Sequence, residues 1–130
     1  MTDPVEFLDL DDVIGLARRL LGDPPPIRDA GLLGSAVARP QTSLGGEDAY
    51  PTIWLKAAAL LQSIVGNHAL VDGNKRLGWL ATAVFLEING ATVAMAPNDH
   101  VYDLVIAIAS SGSKLDEIAG QLERFHGDQR

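Results

Sequence analysis

The strongest constraint on the fold is a pair of long apolar segments, residues 53–65 and 77–88, with a short polar segment between them. The first is apolar on nearly all sides of a helix. The second carries large apolar residues at helical spacing up to Asn89 and Gly90, which suit the end of a helix. Because a helix without a polar face must be buried, both segments are predicted to be central helices of one core. Neither reaches the length of a membrane span.

Shorter amphipathic segments are predicted to form the outer helices. Each begins near a residue whose side chain can accept a hydrogen bond from the first helical turn, as preferred N-caps do. Ser113 and Asp116 have the spacing of a capping box, and Pro51 is predicted as the first residue of the first central helix. The predicted starts of the outer helices are Asp9, Asp29, Asn98 and Ser113, and the first two of these helices end near Gly22 and Arg39.

The chain is predicted to be a single all-α domain spanning residues 1–130. Its length matches one ordinary hydrophobic core, and it contains no internal repeat or long linker. Residues 41–50 are polar and contain glycine, which is typical of an exposed loop or a short hairpin. We therefore expect a compact bundle of about six helices with a loop or hairpin near residues 41–50.

Charge and composition exclude several classes of function. The net charge of −7 disfavours direct binding to nucleic acid, which depends on clustered lysines and arginines. The absence of cysteine excludes disulfides, thiolate metal sites and a cysteine nucleophile. The N-terminus is acidic and lacks an apolar signal core, so we expect a cytoplasmic protein that does not associate with a membrane.

Two adjacent cations stand at the entrance of the second central helix. Between residues 41 and 112 the only lysines and arginines are Lys56, Lys75 and Arg76, and two of these three are neighbours. A helix N-terminus has unpaired N–H groups and about half a positive charge, so cations are unfavourable there unless an anion is bound. The pair therefore indicates an anion site.

The residues just before these cations supply the other parts of a phosphate site. Gly73 lets a phosphate approach the backbone closely, and Asn74 adds an amide donor. Asp72 is unfavourable beside an anion unless a divalent cation lies between them, as Mg²⁺ does when it binds one carboxylate and substrate phosphates. The imidazole of His68 can take a proton from a hydroxyl near neutral pH. Alone, these residues suit an ordinary turn and a structural histidine, but together they predict a Mg²⁺-nucleotide site with His68 as general base.

The segment from His68 to Arg76 resembles the motif of the Fic/Doc family. That motif has a histidine, an aromatic residue two positions on, then an acidic residue, a small residue, Asn, a variable residue and Arg. Asn74-Lys75-Arg76 is similar to the Doc branch, whereas adenylylating Fic enzymes carry Asn-Gly-Arg. Ala69, Leu70 and Leu77 depart from the common pattern. The resemblance covers roughly residues 7–125, and its further matching segments are Asp29-Ala30-Gly31-Leu32-Leu33, Ala38-Arg39-Pro40-Gln41, Gly46-Glu47-Asp48 and Asn89-Gly90.

The resemblance implies a toxin that uses ATP to phosphorylate a threonine of the translation elongation factor EF-Tu. It also implies neutralisation by a small Phd-type antitoxin. Within the site it implies that His68 is the base and that Asp72 binds Mg²⁺. Residues 41–50 are either an ordinary loop or the family's flap, which docks the target segment. The implied phosphate-binding residues are Asn74, Lys75 and Arg76, together with Gly73 from the reasoning above.

Three classes of function remain open from the sequence: a Doc-type protein kinase, a Fic-type AMP transferase and a noncatalytic antitoxin-binding protein. Lys75 favours the first, because a lysine in place of glycine crowds the adenylylating orientation of ATP in this family. The family's inhibitory helix carries Ser or Thr, three residues, Glu, then Gly or Asn. No segment completes that pattern, so inhibition by a separate partner is expected. The partial matches are Thr2 with Glu6, Ser43 with Glu47 and Ser113 with Glu117.

Overall fold

Residues 4–128 of the computed structural model form six α-helices and one two-stranded antiparallel hairpin, which confirms the all-α prediction. Thr2, named above in a partial inhibitory match, lies outside these described residues. Among the described residues, none of the helices is long and apolar enough to cross a membrane. The elements are α1 (Leu10–Leu21), α2 (Ala30–Ala38), a 3-10 turn (Arg39–Gln41), β1 (Ser43–Leu44), β2 (Glu47–Asp48), α3 (Ile53–Asn67), α4 (Asn74–Ile88), α5 (Asn98–Ala109) and α6 (Leu115–Gly127).

The two predicted central helices, α3 and α4, form the middle of the bundle. α3 contacts α2, α4, α5 and α6, and its residues from Lys56 to Leu61 are all buried. α4 packs closely on α3 at Gly78, where an added Cβ would come within 2.8 Å of Val65 Cγ2. The absence of a side chain at this glycine lets the two backbones approach. The loop that joins α3 to α4 is consequently held at one end of the core.

Most helix boundaries agree with the sequence, and two predicted starts are wrong. α1 has the predicted capping box, in which Asp9 Oδ1 accepts from the Asp12 N–H at 2.8 Å. α3 begins at Ile53 rather than Pro51, because the Thr52 hydroxyl caps it by accepting from the Leu55 N–H at 3.1 Å.

The start of α6 is also shifted, by one residue. Its N-cap is Lys114 rather than Ser113, because the Glu117 carboxylate accepts from the Lys114 N–H at 3.0 Å. Asp116, the predicted partner of Ser113, accepts instead from the N–H of Glu117 at 2.9 Å. Two neighbouring acidic residues both suit the spacing rule, and the more C-terminal one closes the cap.

Residues 43–48 form the hairpin expected within residues 41–50. Ser43 pairs with Asp48 and Leu44 with Glu47, and Gly45 and Gly46 both have positive φ at the turn. All six residues are exposed. The hairpin therefore projects from the bundle between the 3-10 turn and α3.

Candidate functional site

The loop between α3 and α4 lines a cleft of about 250 Å³, which we call the α3–α4 cleft. It contains every site residue that the sequence predicted. Val65, Val71 and Ala109 complete its lining, so the end of α5 forms one wall. The predicted site residues in this lining are His68, Asp72, Gly73, Asn74, Lys75 and Arg76.

His68 ends α3 and redirects the chain. Its backbone is left-handed, with φ 53° and ψ 43°, and its side chain is exposed. That conformation costs a non-glycine residue roughly 1–2 kcal/mol, so neighbouring contacts must hold it. One such contact comes from Arg28, whose guanidinium Nη2 donates to the His68 carbonyl.

A short segment before α2, residues 26–29, holds the loop after His68, and we call it the strap. The Ala69 carbonyl accepts from the N–H groups of Arg28 and Asp29, at 2.8 and 3.0 Å. The Val71 N–H donates to the Pro26 carbonyl at 2.9 Å. The sequence did not predict the strap or the contact of Arg28, because no local pattern shows that a segment forty residues away pairs with the loop.

Asn74 holds the same loop from its other end. Its side-chain Oδ1 accepts from the Leu70 N–H, and its Nδ2 donates to the Leu70 carbonyl, both at 3.0 Å. Leu70 is 2% exposed, so this pairing satisfies backbone groups that are shielded from water. One N–H of the Asn74 amide is left for a ligand, and its predicted role in binding phosphate stays a prediction.

Gly73 and Asp72 form the turn that precedes α4, and their predicted roles in binding a nucleotide with Mg²⁺ stay predictions. Gly73 has φ 90°, and a Cβ at this position would come within 2.7 Å of the Leu21 side chain. The positive φ favours glycine, and the Leu21 side chain of α1 fills the space on the side where a Cβ would point. The Gly73 N–H donates to Asp72 Oδ1 at 2.8 Å, which orients the carboxylate and leaves Oδ2 for a cation.

The N-terminus of α4 is positively charged and open. No side chain of the described residues caps this helix, whose N-cap is Gly73. The ion pairs found in residues 4–128 join Arg18 to Asp23 and Lys56 to Asp48. Neither pair includes Lys75 or Arg76, so no carboxylate of these residues neutralises them. Both side chains are exposed. The first turn of α4 fits the phosphates of a nucleotide.

An apolar groove of about 480 Å³ lies between α1, α4 and α5. Lys75 and Arg76 line it as well as the α3–α4 cleft, so the two cavities meet at the first turn of α4. Tyr102 is 65% exposed on its α5 wall. The remaining lining residues are Leu20, Trp79, Leu80, Ala83, Asn98, Val101, Val105 and Ile106.

Comparison with known proteins relates the whole site to one family. Residues 7–86 match the family model described as "Fic/DOC family", and this range includes the loop from His68 to Arg76. Over 121 residues the chain is 49% identical to "Toxin Doc" of Mycolicibacterium smegmatis (strain ATCC 700084 / mc(2)155). That alignment covers 92% of this chain and 93% of the relative.

Proposed function

This chain belongs to the Fic/Doc family, and we propose that it is a type II toxin that phosphorylates a threonine of the elongation factor EF-Tu. The 49% identity to Toxin Doc over nearly all of both chains supports the assignment as a toxin of a toxin–antitoxin system. One observation carries the assignment as an enzyme: the predicted base, metal ligand and phosphate-binding residues all line a single cleft.

The α3–α4 cleft suits ATP with its phosphates at the first turn of α4. Lys75 and Arg76 lie in that turn and balance the phosphate charge, and Gly73 supplies the left-handed N-cap from which the turn begins. Asp72 Oδ2 would hold Mg²⁺ against the phosphates, and that ion would offset the negative charge of the transferred group.

His68 acts on the acceptor. Its imidazole takes the proton of the threonine hydroxyl while the hydroxyl oxygen forms a bond to the γ-phosphorus. The bond between that phosphorus and the β–γ bridging oxygen breaks, and ADP leaves. Arg28 and the strap keep the backbone of His68 in the conformation that places the side chain at the cleft.

Lys75 supports transfer of the γ-phosphate rather than AMP. It occupies the position where adenylylating members of the family carry glycine, and it lines the α3–α4 cleft with its charge unpaired by the described carboxylates. A long cationic side chain there crowds the orientation of ATP that exposes the α-phosphorus. The same charge stabilises phosphates bound in the opposite orientation.

Labelled ATP tests the proposal directly. Purified EF-Tu is incubated with the protein and ATP labelled at either the γ or the α phosphate, and the label on EF-Tu is measured. We expect γ label only, with transfer by His68→Ala reduced by about 100-fold to 10,000-fold. His100→Ala is the matched control, because His100 is exposed on α5 and does not line the cleft.

The other outcomes distinguish the alternatives. Transfer of α label without γ label would establish an AMP transferase and reject the kinase. No transfer of either label would favour a noncatalytic antitoxin-binding member of the family. Full activity in a folded His68→Ala protein would reject His68 as the base.

The antitoxin is proposed to be a Phd-type protein that inserts an apolar segment into the apolar groove. The groove reaches Lys75 and Arg76, so an acidic side chain at the end of that segment would pair with the cations that hold ATP. Binding in the groove would then inhibit transfer by displacing the nucleotide.

A further inference from the structure

A third cavity, of about 510 Å³, lies on the other side of α3 from the α3–α4 cleft. It is bounded by α2, the 3-10 turn, the base of the hairpin and the last turns of α3. Most of its lining side chains carry hydroxyl, amide or guanidinium groups, and we call it the polar cleft. Its lining residues are Ser35, Ala38, Arg39, Thr42, Ser63 and Asn67.

Arg39 is held rigidly in this cleft by neutral groups. Its Nε donates to the Tyr50 hydroxyl at 2.9 Å, and its Nη1 donates to Gln62 Oε1 at 2.8 Å and to Ser63 Oγ at 2.9 Å. Its guanidinium carbon lies 5.3 Å from the centre of the Tyr50 ring. The charge is therefore fixed in position without being neutralised by these partners.

The guanidinium keeps one free edge. Neither of the ion pairs in residues 4–128 involves Arg39, and its Nη2 has no hydrogen-bond partner among those residues. The residue is half-buried, which strengthens its attraction for an anion relative to a fully solvated arginine. Planar N–H groups on a fixed guanidinium match the geometry of a carboxylate.

The polar cleft adjoins the catalytic base. Asn67 lines the polar cleft and His68, the next residue, lines the α3–α4 cleft. Ser63 and Asn67 are four residues apart and share one face of α3, whereas Val65 faces the other cleft. A polypeptide with its hydroxyl at His68 can thus place a nearby side chain in the polar cleft, since each extended residue spans about 3.3 Å.

We propose that the polar cleft binds an acidic side chain of the protein acceptor, with Arg39 as its carboxylate ligand. The aspartate or glutamate lies within a few residues of the modified threonine, and Ser35, which lines the same space, carries a hydroxyl that can donate to it. The Thr42 hydroxyl donates instead to the Arg39 carbonyl at 2.7 Å. This proposal rests on the proposed function for the threonine acceptor. It adds a specificity site that selects which segment of an acceptor reaches His68.

Two sets of threonine-centred peptide pools test the proposal. In one set each flanking position in turn is aspartate, in the other it is asparagine, and all remaining positions are randomised. Binding of fluorescein-labelled pools is measured by anisotropy without ATP, and transfer is measured with γ-labelled ATP. For the wild type we expect an aspartate pool to be favoured over its asparagine match by about tenfold or more at one position.

Variants distinguish the effect of the Arg39 charge from the effect of the hydrogen bonds that hold its side chain. Arg39→Gln should abolish the aspartate preference, and Arg39→Lys should keep part of it because the positive charge remains. Tyr50→Phe removes one hydrogen bond that supports Arg39 while leaving the guanidinium, so it should keep the preference. Arg124→Gln removes an exposed arginine of α6 that lines none of the three cavities, and it should behave as the wild type.

Each combination of outcomes bears on both proposals and keeps their failures distinguishable. Transfer to peptides without any aspartate preference would overturn the polar cleft as a carboxylate site and leave the kinase function standing. An aspartate preference in binding without transfer of label would support the cleft and reject the kinase. Neither preference nor transfer would reject both. If circular dichroism shows that Arg39→Gln does not fold, the comparison of aspartate and asparagine pools with the wild type still tests the carboxylate site, since it needs no variant.

Discussion

His68 illustrates how a single residue in this site depends on a partner far away in the sequence. Its left-handed backbone is uncommon for a residue other than glycine and costs free energy that other contacts must offset. Arg28 and the strap supply the compensating hydrogen bonds, because their donors and acceptors meet the loop on both sides of Leu70. The placement of His68, the proposed base, thus depends on tertiary contacts and not on the local sequence alone.

Arg28 is predicted to be a positioning residue for His68. Arg28→Gln removes the charged donor to the His68 carbonyl, and we expect kcat for γ-phosphate transfer to fall by about 2-fold to 10-fold. The KM for ATP should stay unchanged, since Arg28 does not line the α3–α4 cleft. Arg28→Lys should recover part of the loss, and steady-state kinetics measure both constants. Unchanged kcat in Arg28→Gln would show that the backbone bonds of the strap suffice.

Lys75 is predicted to act both through its charge and through its size. Lys75→Gly and Lys75→Ala each remove an ammonium, so γ-phosphate transfer should fall by about tenfold or more in both. Lys75→Gly also clears the space beyond the backbone, so only this variant should gain AMP transfer. The measurement is transfer from γ-labelled and α-labelled ATP. Equal gain of AMP transfer in both variants would assign the choice of phosphate to charge alone.

At the scale of elements, the apolar pattern predicted which helices are central. A helix that is apolar on nearly all sides must be buried, whichever helices surround it. Helix starts were less predictable where two residues could cap. Pro51 suits a first helical turn, yet Thr52 is the N-cap of α3 because its hydroxyl accepts from the Leu55 N–H. That residues 68–76 would lie together was predictable because they are close in the sequence, whereas the part played by Arg28 was not, because its contact with His68 lies across the fold.

Two helical glycines should respond oppositely to the same substitution. Gly78→Ala gains up to about 1 kcal/mol in helix propensity, but its Cβ would lie 2.8 Å from Val65 Cγ2 in the α3–α4 contact. Overpacking of this kind costs about 1–3 kcal/mol, so a net loss of stability is expected. Gly15→Ala in α1 meets no atom within 4 Å and should gain up to about 1 kcal/mol.

Urea unfolding followed by circular dichroism measures both changes. Adding Val65→Ala to Gly78→Ala should recover part of the loss caused by the overlap, measured against Val65→Ala alone, because the substitution removes the methyl that the new Cβ would meet. Stabilisation by Gly78→Ala alone would show that α3 and α4 can separate without cost. That result would also weaken the view that this glycine holds the active-site loop at a set distance from the core.

At the scale of the whole molecule, the three cavities surround the junction of α3 and α4. The polar cleft and the α3–α4 cleft meet at Asn67 and His68, and the α3–α4 cleft and the apolar groove share Lys75 and Arg76. The chain carries a net charge of −7, so its positive groups at this junction stand out from an acidic protein. The sites proposed for acceptor, nucleotide and antitoxin therefore share or adjoin a few residues, through which binding at one could affect binding at another.

The α5 wall of the apolar groove is predicted to be needed for neutralisation and dispensable for catalysis. Tyr102→Glu places a carboxylate on the groove wall, and an apolar segment that covers the wall must remove this charge from water. The dissociation constant of the complex with the cognate antitoxin should rise by at least about tenfold, while γ-phosphate transfer by the free toxin stays unchanged. His100→Glu adds the same charge to α5 outside the groove lining and should bind the antitoxin normally.

Calorimetric titration gives the dissociation constants of the antitoxin complexes of Tyr102→Glu and His100→Glu. Growth during co-expression with the antitoxin shows whether each variant is neutralised in cells. Wild type and His100→Glu should be tolerated with the antitoxin and arrest growth without it, whereas Tyr102→Glu should arrest growth in both conditions. The antitoxin should also raise the apparent KM for ATP, because the segment in the groove ends at Lys75 and Arg76. Equal binding by the two variants would place the antitoxin on another surface, and harmless expression of the wild type alone would contradict its assignment as a toxin.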